Sequence, residues 1–325
     1  MKTRLFSLLV LALLLAGCAG KAPVSPPAAE TVPTVAQTLP PETASPPQAQ
    51  TLFREPPPPP VFTVLIPLPS GALVQCSEEA EIDYSHTQDG YVMVRYIGET
   101  DKRLKVLVKG PTTTYSYDLP REEWTVFPLS DGNGAYTVGV YRNITGSKYA
   151  AILTVSFDAL LLDEFAPFLR PNQYVNYRES TLALQTGLEV TAGLTDPLEK
   201  VAAVYHYVTT TLDYDHEKAA TVKTGYLPDL DQVLSQGKGI CFDYAALMAA
   251  MLRSQEVPCK LVVGYAGSTY HAWISVWTQE SGWIDGVIFF DGRNWQRLDP
   301  TFASGADEKT LEFIRNGTYI AKYLY

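Results

Sequence analysis

The chain has 325 residues, of which 46% are hydrophobic and 18% charged, and its net charge is −10. This length corresponds to about two domains of roughly 100–200 residues each, and the composition is typical of a globular protein with a sizeable core. Because binding phosphates requires clustered Lys and Arg, the acidic balance argues against nucleic acid as a partner. Four cysteines without a CxxC pair exclude a disulfide-dense scaffold and a zinc ribbon.

Residues 1–17 are predicted to be an export signal. Lys2 and Arg4 supply a positive n-region, and the apolar stretch that follows is too short to span a bilayer. It ends in LAGC at 15–18, which resembles the lipobox of bacterial lipoproteins. The resemblance implies cleavage before Cys18, acylation of Cys18 and an extracytoplasmic protein anchored to the membrane. An ordinary signal peptide with an incidental cysteine is the alternative.

The segment at 18–60 is predicted to be a tether that follows the lipid-anchor cysteine. Of the 24 prolines in the chain, 13 fall between residues 21 and 60, with Ala, Thr, Ser and Gln between them. Such a composition buries no core and favours extended polyproline-like conformations at about 3 Å per residue. We expect it to hold the folded part of the protein off the membrane.

Residues 61–175 are predicted to form a β-sandwich. Short segments such as Tyr91–Ile97 and Ala135–Tyr141 alternate between apolar and polar residues, and turn signals such as Gly110-Pro111 separate them. Seven or so strands at this spacing favour an immunoglobulin-like sandwich of about 100 residues. The sequence of this region offers no convergent polar cluster, so we expect an accessory or substrate-presenting module.

Helical periodicity marks the second predicted domain, residues 176–325. The sequence Asp196-Pro197-Leu198-Glu199 is typical of an N-cap, a proline at the first helical position and the acid of a capping box. The helix is predicted to continue to about Leu212.

A stronger signal for chemistry lies at Cys241. Two glycines precede it, and from Phe242 to Leu252 only Asp243 is charged. A helix that is apolar on all sides is usually buried, so Cys241 is predicted at the N-terminus of a central helix. The free amides and the dipole of a helix N-terminus favour the thiolate, and the Cys241 amide is a candidate oxyanion donor.

A thiolate nucleophile needs a base and a residue that orients the base. His271 begins a predicted strand, and Asp299 follows another predicted strand. If the two strands are adjacent, His271 lies between Cys241 and Asp299, as in Ser-His-Asp and Cys-His-Asp sites.

These motifs resemble the transglutaminase-like superfamily. The match includes GIC at 239–241, HAW at 271–273 and LDPT at 298–301, in that order, and covers roughly residues 180–305. The resemblance implies an α+β, papain-like fold in which the Cys-bearing helix packs on an antiparallel sheet. It implies Cys241 as nucleophile, His271 as general base and then acid, and Asp299 as the residue that orients His271. Gln236 is either a second oxyanion donor or a loop residue.

The expected activity is acyl transfer at an amide through a Cys241 thioester, which an amine or water then releases. The expected partners are a peptide or protein substrate, with cell-wall peptides suggested by the location, and the membrane through Cys18. No cofactor or metal is expected, since nothing near His216 completes a ligand set. Free, buried thiols are favoured over a disulfide for Cys76 and Cys259. The competing hypothesis is a non-catalytic binding or scaffolding lipoprotein with the same fold.

Overall fold

The computed structural model describes residues 64–285, 288–290, 295–297 and 318–325. All of these residues belong to one unit, Pro58–Tyr325. The predicted signal peptide, the tether, Cys18 and Asp299 lie outside the described residues.

Residues 74–159, called the two-sheet region below, form two four-stranded antiparallel sheets. The first sheet consists, in spatial order, of β1 (Val74–Cys76), β2 (Ala80–Asp83), β3 (Tyr91–Tyr96) and β6 (Thr125–Pro128). The second consists, in spatial order, of β5 (Thr114–Asp118), β4 (Leu104–Lys109), β7 (Gly134–Thr145) and β8 (Lys148–Ala159).

Alternating side chains place one face of these strands in the core. In β5, Tyr115 and Tyr117 are buried while Ser116 between them is exposed, as the period of two requires. Val106 and Val108 are buried in the same way on β4, and both sheets contribute to one hydrophobic core. The predicted short alternating strands are confirmed. The immunoglobulin-like topology stays a prediction.

Five helices, α1 to α5, follow within the described residues. Their bounds are α1 (Leu182–Val190), α2 (Pro197–Thr211), α3 (His216–Thr221), α4 (Leu230–Gln236) and α5 (Cys241–Arg253). The predicted start of α2 is confirmed, because the Asp196 carboxylate accepts hydrogen bonds from the amides of Leu198 at 2.7 Å and Glu199 at 3.1 Å.

The remaining strands form one larger and two small sheets. The larger sheet is antiparallel and consists, in spatial order, of β13 (Gly282–Asp285), β12 (Thr269–Thr278), β11 (Cys259–Ala266) and β16 (Tyr319–Leu324). The small ones pair β9 (Asp213–Tyr214) with β10 (Lys238–Gly239) in parallel and β14 (Ile288–Phe290) with β15 (Trp295–Arg297) antiparallel. Since α5 packs against β11 and β12, the predicted helix on an antiparallel sheet is confirmed.

The hydrophobic core runs without a break from the two-sheet region to α5. Tyrosines join the two parts: the ring centroids of Tyr117 and Tyr325 lie 5.7 Å apart, and those of Tyr174 and Tyr325 lie 4.5 Å apart. The two regions therefore share one core. The domain boundary between 175 and 176 stays a prediction.

Cys76, Cys241 and Cys259 are free thiols. Cys259 is buried, as expected, but the expectation that Cys76 is buried in a turn is wrong. Cys76 is exposed because it ends β1, a three-residue strand at the edge of its sheet. Within the described residues, no helix combines the length and the apolar character that a membrane-spanning helix needs.

Candidate active site

Cys241 begins α5, where its thiol is partly exposed beside a cavity of about 500 Å³. Every residue of the helix from Asp243 to Arg253 is buried, as the nearly uncharged sequence predicts. The first amides of a helix have no acceptor within it. The sulfur of Cys241 therefore lies at the positive end of the α5 dipole.

His271 lies on β12, where it pairs with Gly264 of β11, and is only 4% exposed. Its ring stacks on Trp273, with ring centroids 6.1 Å apart. It lines the same cavity as Cys241. The structure thus brings together a thiol and an imidazole that the sequence separates by thirty residues.

Asp299 lies outside the described residues. The strand that precedes it, β15, pairs with β14, whereas the described neighbours of the His271 strand are β11 and β13. The adjacency expected between the two strands is therefore not among the described pairings. The orienting role of Asp299 stays a prediction.

Asp243, the charged residue of the apolar helix, lies beneath Cys241 at the centre of a hydrogen-bonded group. Its carboxylate is fully buried and accepts hydrogen bonds from the Ile240 amide at 2.8 Å, the Lys218 ammonium at 2.6 Å and the Tyr226 hydroxyl at 2.5 Å. Burial and the neighbouring carboxylate raise the pKa of Tyr226, so its hydroxyl stays a donor. A buried carboxylate is tolerated when it is paired and fully hydrogen-bonded in this way.

This group fixes the chain just before Cys241. The side chain of Ile240, the residue before α5, makes no capping hydrogen bond. The Asp243 carboxylate instead accepts a hydrogen bond from the Ile240 amide and so stabilises the start of the helix. A Cβ at Gly239 would lie 2.7 Å from the Cβ of Asp243, which explains why glycine occupies this position in the motif. The Asp243 group therefore sets the path of the backbone that carries Cys241.

Residues 185–300 match the family model described as the Transglutaminase-like superfamily. The chain contains a transglutaminase-like domain. An uncharacterized protein of Mycobacterium leprae (strain TN) is 30% identical over 135 residues, which cover 38% of this chain and 45% of that protein. The chain thus spans less than half the length of this curated relative.

The solved structures that this chain resembles are more distant in sequence. The periplasmic domain of TgpA from Pseudomonas aeruginosa is 15% identical, with a TM-score of 0.33 over 75% of this chain and 100% of that one. Red sea bream transglutaminase is 11% identical, with a TM-score of 0.30 over 71% of this chain and 56% of that one.

Aromatic side chains form much of the cavity wall. Tyr174 contacts Phe242, the residue after Cys241, with ring centroids 5.3 Å apart, and Tyr270 precedes His271. Burial raises the pKa of Tyr174, Tyr270 and Tyr325, so their hydroxyls remain protonated. The wall therefore offers apolar ring faces and neutral hydroxyls around Cys241 and His271.

Two tryptophans of the His271 strand and the candidate oxyanion donor Gln236 are not part of this cavity wall. Trp273 is 3% exposed, and Trp277 packs on Phe165 with ring centroids 4.3 Å apart, so both serve packing. Neither these tryptophans nor Gln236 is among the described residues that line the cavity. Gln236 is an exposed residue that ends α4 and is no oxyanion donor in this arrangement.

The sequence did not reveal the partners of Asp243 or the tyrosines of the cavity wall. Asp243 did stand out as the single charged residue between Phe242 and Leu252, and a buried charge requires a partner. Lys218 and Tyr226 come from α3 and the loop after it, where no periodic pattern marks them. Among the described residues, no group of His, Cys, Asp and Glu is arranged to hold a metal ion.

Proposed function

We propose that this chain is a thiol enzyme that transfers or hydrolyses acyl groups at amide or peptide bonds. The observation that carries the proposal is that Cys241, at the N-terminus of a buried helix, and His271 line one cavity. A thiol placed beside a histidine at such a terminus is activated as a nucleophile.

In the first half of the proposed reaction, the Cys241 sulfur adds to the carbonyl carbon of the substrate. His271 accepts the thiol proton and then gives it to the leaving nitrogen as the carbon–nitrogen bond breaks. Ammonia leaves from a carboxamide, and an amine leaves from a peptide bond. The Cys241 amide is suited to donate to the oxyanion of the tetrahedral intermediate, and the product is an acyl thioester on Cys241.

In the second half, the nitrogen of an amine or the oxygen of water adds to the thioester carbon. His271 takes the proton of the attacking group and returns it to sulfur as the carbon–sulfur bond breaks. An amine yields a new amide, and water yields a carboxylic acid. Asp299, as the resemblance implies, is the residue proposed to orient His271.

The proposal also includes the location of the enzyme. The lipobox-like sequence supports acylation of Cys18 and an extracytoplasmic protein tethered to a membrane by its proline-rich segment. Cell-wall peptides and surface proteins are the substrates that such a location makes available.

Incubation with a glutamine-containing peptide and a labelled amine tests the activity. Incorporation of label that is lost in Cys241→Ser supports transfer, whereas ammonia release or peptide cleavage without label, also lost in Cys241→Ser, supports hydrolysis. If no carbonyl substrate is consumed and Cys241 alkylates no faster than a free cysteine, the enzymatic proposal is wrong. The non-catalytic binding hypothesis would then be favoured.

A further inference from the structure

Two further cavities continue the active-site cavity across the two-sheet region. The first, of about 380 Å³, shares Thr224 and Gly225 with the active-site cavity. The second, of about 620 Å³, shares Arg103 with the first. The three cavities therefore lie in a row that begins at Cys241 and ends on the second sheet of the two-sheet region.

The walls of the two outer cavities are rich in cations. Their Lys and Arg side chains, called the basic groove below, are Lys102, Arg103, Lys105 and Arg121. Asp118 is the one acid among their described lining residues. The chain as a whole has 35 acidic residues against 25 Lys and Arg. The local excess of positive charge in the groove is therefore opposite in sign to the net charge of the chain.

Only part of the positive charge of the basic groove is neutralised by ion pairs. Lys102 lies 3.2 Å from Asp101, and Arg103 donates to both carboxylate oxygens of Asp118, at 2.8 and 2.5 Å. Within the described residues, Lys105 and Arg121 form no ion pair. Unpaired cations in a concave surface attract anions from solution.

The loop between the cavities is held against the groove. Gly225 has a φ of +89° and packs so closely on Asp118 that a Cβ there would clash with its carboxylate. That Cβ would also lie 3.3 Å from an Arg103 Nη2 atom. One residue on, Tyr226 donates to Asp243 beneath the nucleophile. The loop at 224–226 is thus fixed at both ends, and a ligand passing over it meets the thiol on one side and the basic groove on the other.

Aromatic rings give the far end of the groove a surface for an extended ligand. Tyr141 and Tyr149 line the outer cavity, and the Lys105 ammonium lies 5.8 Å from the ring centroid of Tyr149. An aromatic ring beside an ammonium holds the lysine stem in place while its charge faces solvent.

We propose that the basic groove binds an acidic peptide segment that flanks the acyl donor residue, so that the two-sheet region selects the substrate. The proposal rests on the proposed function, since the ligand is the peptide whose carbonyl group reaches Cys241. Carboxylate side chains in an extended strand of Glu or Asp would face Arg121 and Lys105, and their backbone would pass Thr224 and Gly225. A polyanion of another class, such as a nucleic acid, is an outcome that the test distinguishes.

Binding to the Cys241→Ala chain, which cannot form the thioester, provides the test. The probes are two fluorescein-labelled peptides with a central glutamine, one flanked by glutamates on both sides and the other by glutamines. Fluorescence polarisation should show the acidic peptide binding at least about tenfold more tightly at low salt, and this preference should shrink as salt screens the charges.

Charge reversal locates the site. Arg121→Glu combined with Lys105→Glu should remove the preference for the acidic peptide, whereas Arg178→Glu should leave it unchanged. Arg178 is the matched control because it is exposed and lines none of the described cavities named here. Far-ultraviolet circular dichroism of each variant checks that it folds.

Three outcomes would overturn the proposal: equal affinity for the two peptides, a preference that survives the double reversal in a folded variant, or tighter binding of a fluorescein-labelled single-stranded oligonucleotide than of the acidic peptide. Each is independent of turnover, because the binding measurements use a chain without the nucleophile. A chain that binds the acidic peptide but, with Cys241 intact, consumes no amide would instead contradict the proposed function alone.

Discussion

Each end of α5 has a thiol and a buried charged side chain close to it, but the thiol faces a cavity at one end and lies in the core at the other. At the N-terminal end, Cys241 faces a cavity and Asp243 is buried beneath it with three donors. At the C-terminal end, the thiol of Cys259 is sealed in the core, and Arg253 is a buried cation. The Arg253 guanidinium donates to the carbonyls of Cys259 at 2.8 Å, Arg170 at 2.7 Å and Tyr325 at 2.6 Å.

The difference separates an end of the helix that opens to the cavity from an end that anchors the helix. Arg253 links α5 to β11, to the segment after the two-sheet region and to the chain beyond β16, so its bonds fix the helix in the fold. The Asp243 group instead fixes the backbone next to the thiol and leaves the thiol open to the cavity. A buried charge is held by hydrogen bonds at both ends, but only the N-terminal end presents a thiol to the cavity.

The largest expected effect distinguishes the two thiols. Cys241→Ala should lower kcat/KM for the amide substrate by about 10⁴-fold or more, because it removes the nucleophile. Cys259→Ala, the matched control, should change kcat/KM less than about twofold per folded molecule, because that thiol packs in the core. Equal losses in the two variants would show that the chemistry is not confined to the N-terminal end.

The anchoring end is tested by Arg253→Met, which keeps an apolar stem but removes the donors. We expect the free energy of unfolding in urea to fall by about 3 kcal/mol, since buried carbonyls lose their charged partner. Activity per folded molecule should fall less than about threefold, unlike in Cys241→Ala. A variant as stable as the natural chain would contradict the anchoring role.

The Asp243 group is tested by Asp243→Asn, which keeps the shape of the side chain but leaves the Lys218 ammonium without its carboxylate. We expect about 2 kcal/mol of lost stability in urea unfolding and about tenfold slower alkylation of Cys241, because the backbone before the thiol is less well fixed.

The control for that variant is the double change Asp243→Asn with Lys218→Met. It removes the unpaired charge and should recover part of the lost stability. Slow alkylation should persist in the double variant if Asp243 positions the thiol. Recovery of the natural alkylation rate in the double variant would show that only the unpaired lysine caused the defect.

The smallest expected effect, taken per pH unit, is the pH dependence of stability that the Cys259 thiol causes. Burial raises the pKa of this thiol to about 12, from 9.0 for an exposed cysteine. Between these values the unfolded chain has lost the proton while the folded chain keeps it, so stability falls as pH rises through this window.

Comparing the natural chain with Cys259→Ala isolates this contribution, since the other titrating groups are common to both. We expect the difference in unfolding free energy to shift in favour of the alanine variant by about 1 kcal/mol per pH unit between about pH 9 and 11. Parallel pH dependences would mean that solvent reaches the thiol.

The sequence predicted the N-terminal end of α5 better than its surroundings. Glycines before Cys241 and an apolar run after it predict a buried helix with an open first turn, and the largely apolar and aromatic run Tyr270–Trp277 predicts the buried strand of His271. These are local signals, which can be read from neighbouring residues alone.

Contacts between distant segments were not predictable in the same way. Nothing in the pattern around Lys218 or Tyr226 indicates that both meet Asp243, and Arg103 and Thr224 come together only when two regions pack on one core. The sequence distance of Gln236 from Cys241 permits an oxyanion donor, but the α4 helix ends at Gln236 and leaves its side chain exposed. Tertiary packing, not local propensity, decides such positions.

The rate of iodoacetamide alkylation of Cys241 tests the central claim most directly. In a Cys76→Ser background, which removes the exposed second thiol, Cys241 should react near neutral pH at least about tenfold faster than a free cysteine. In the same background, His271→Ala should lower the rate to about that of a free cysteine. If Cys241 reacts no faster than a free cysteine, or if His271→Ala leaves the rate unchanged, the two residues do not form a thiol–imidazole pair.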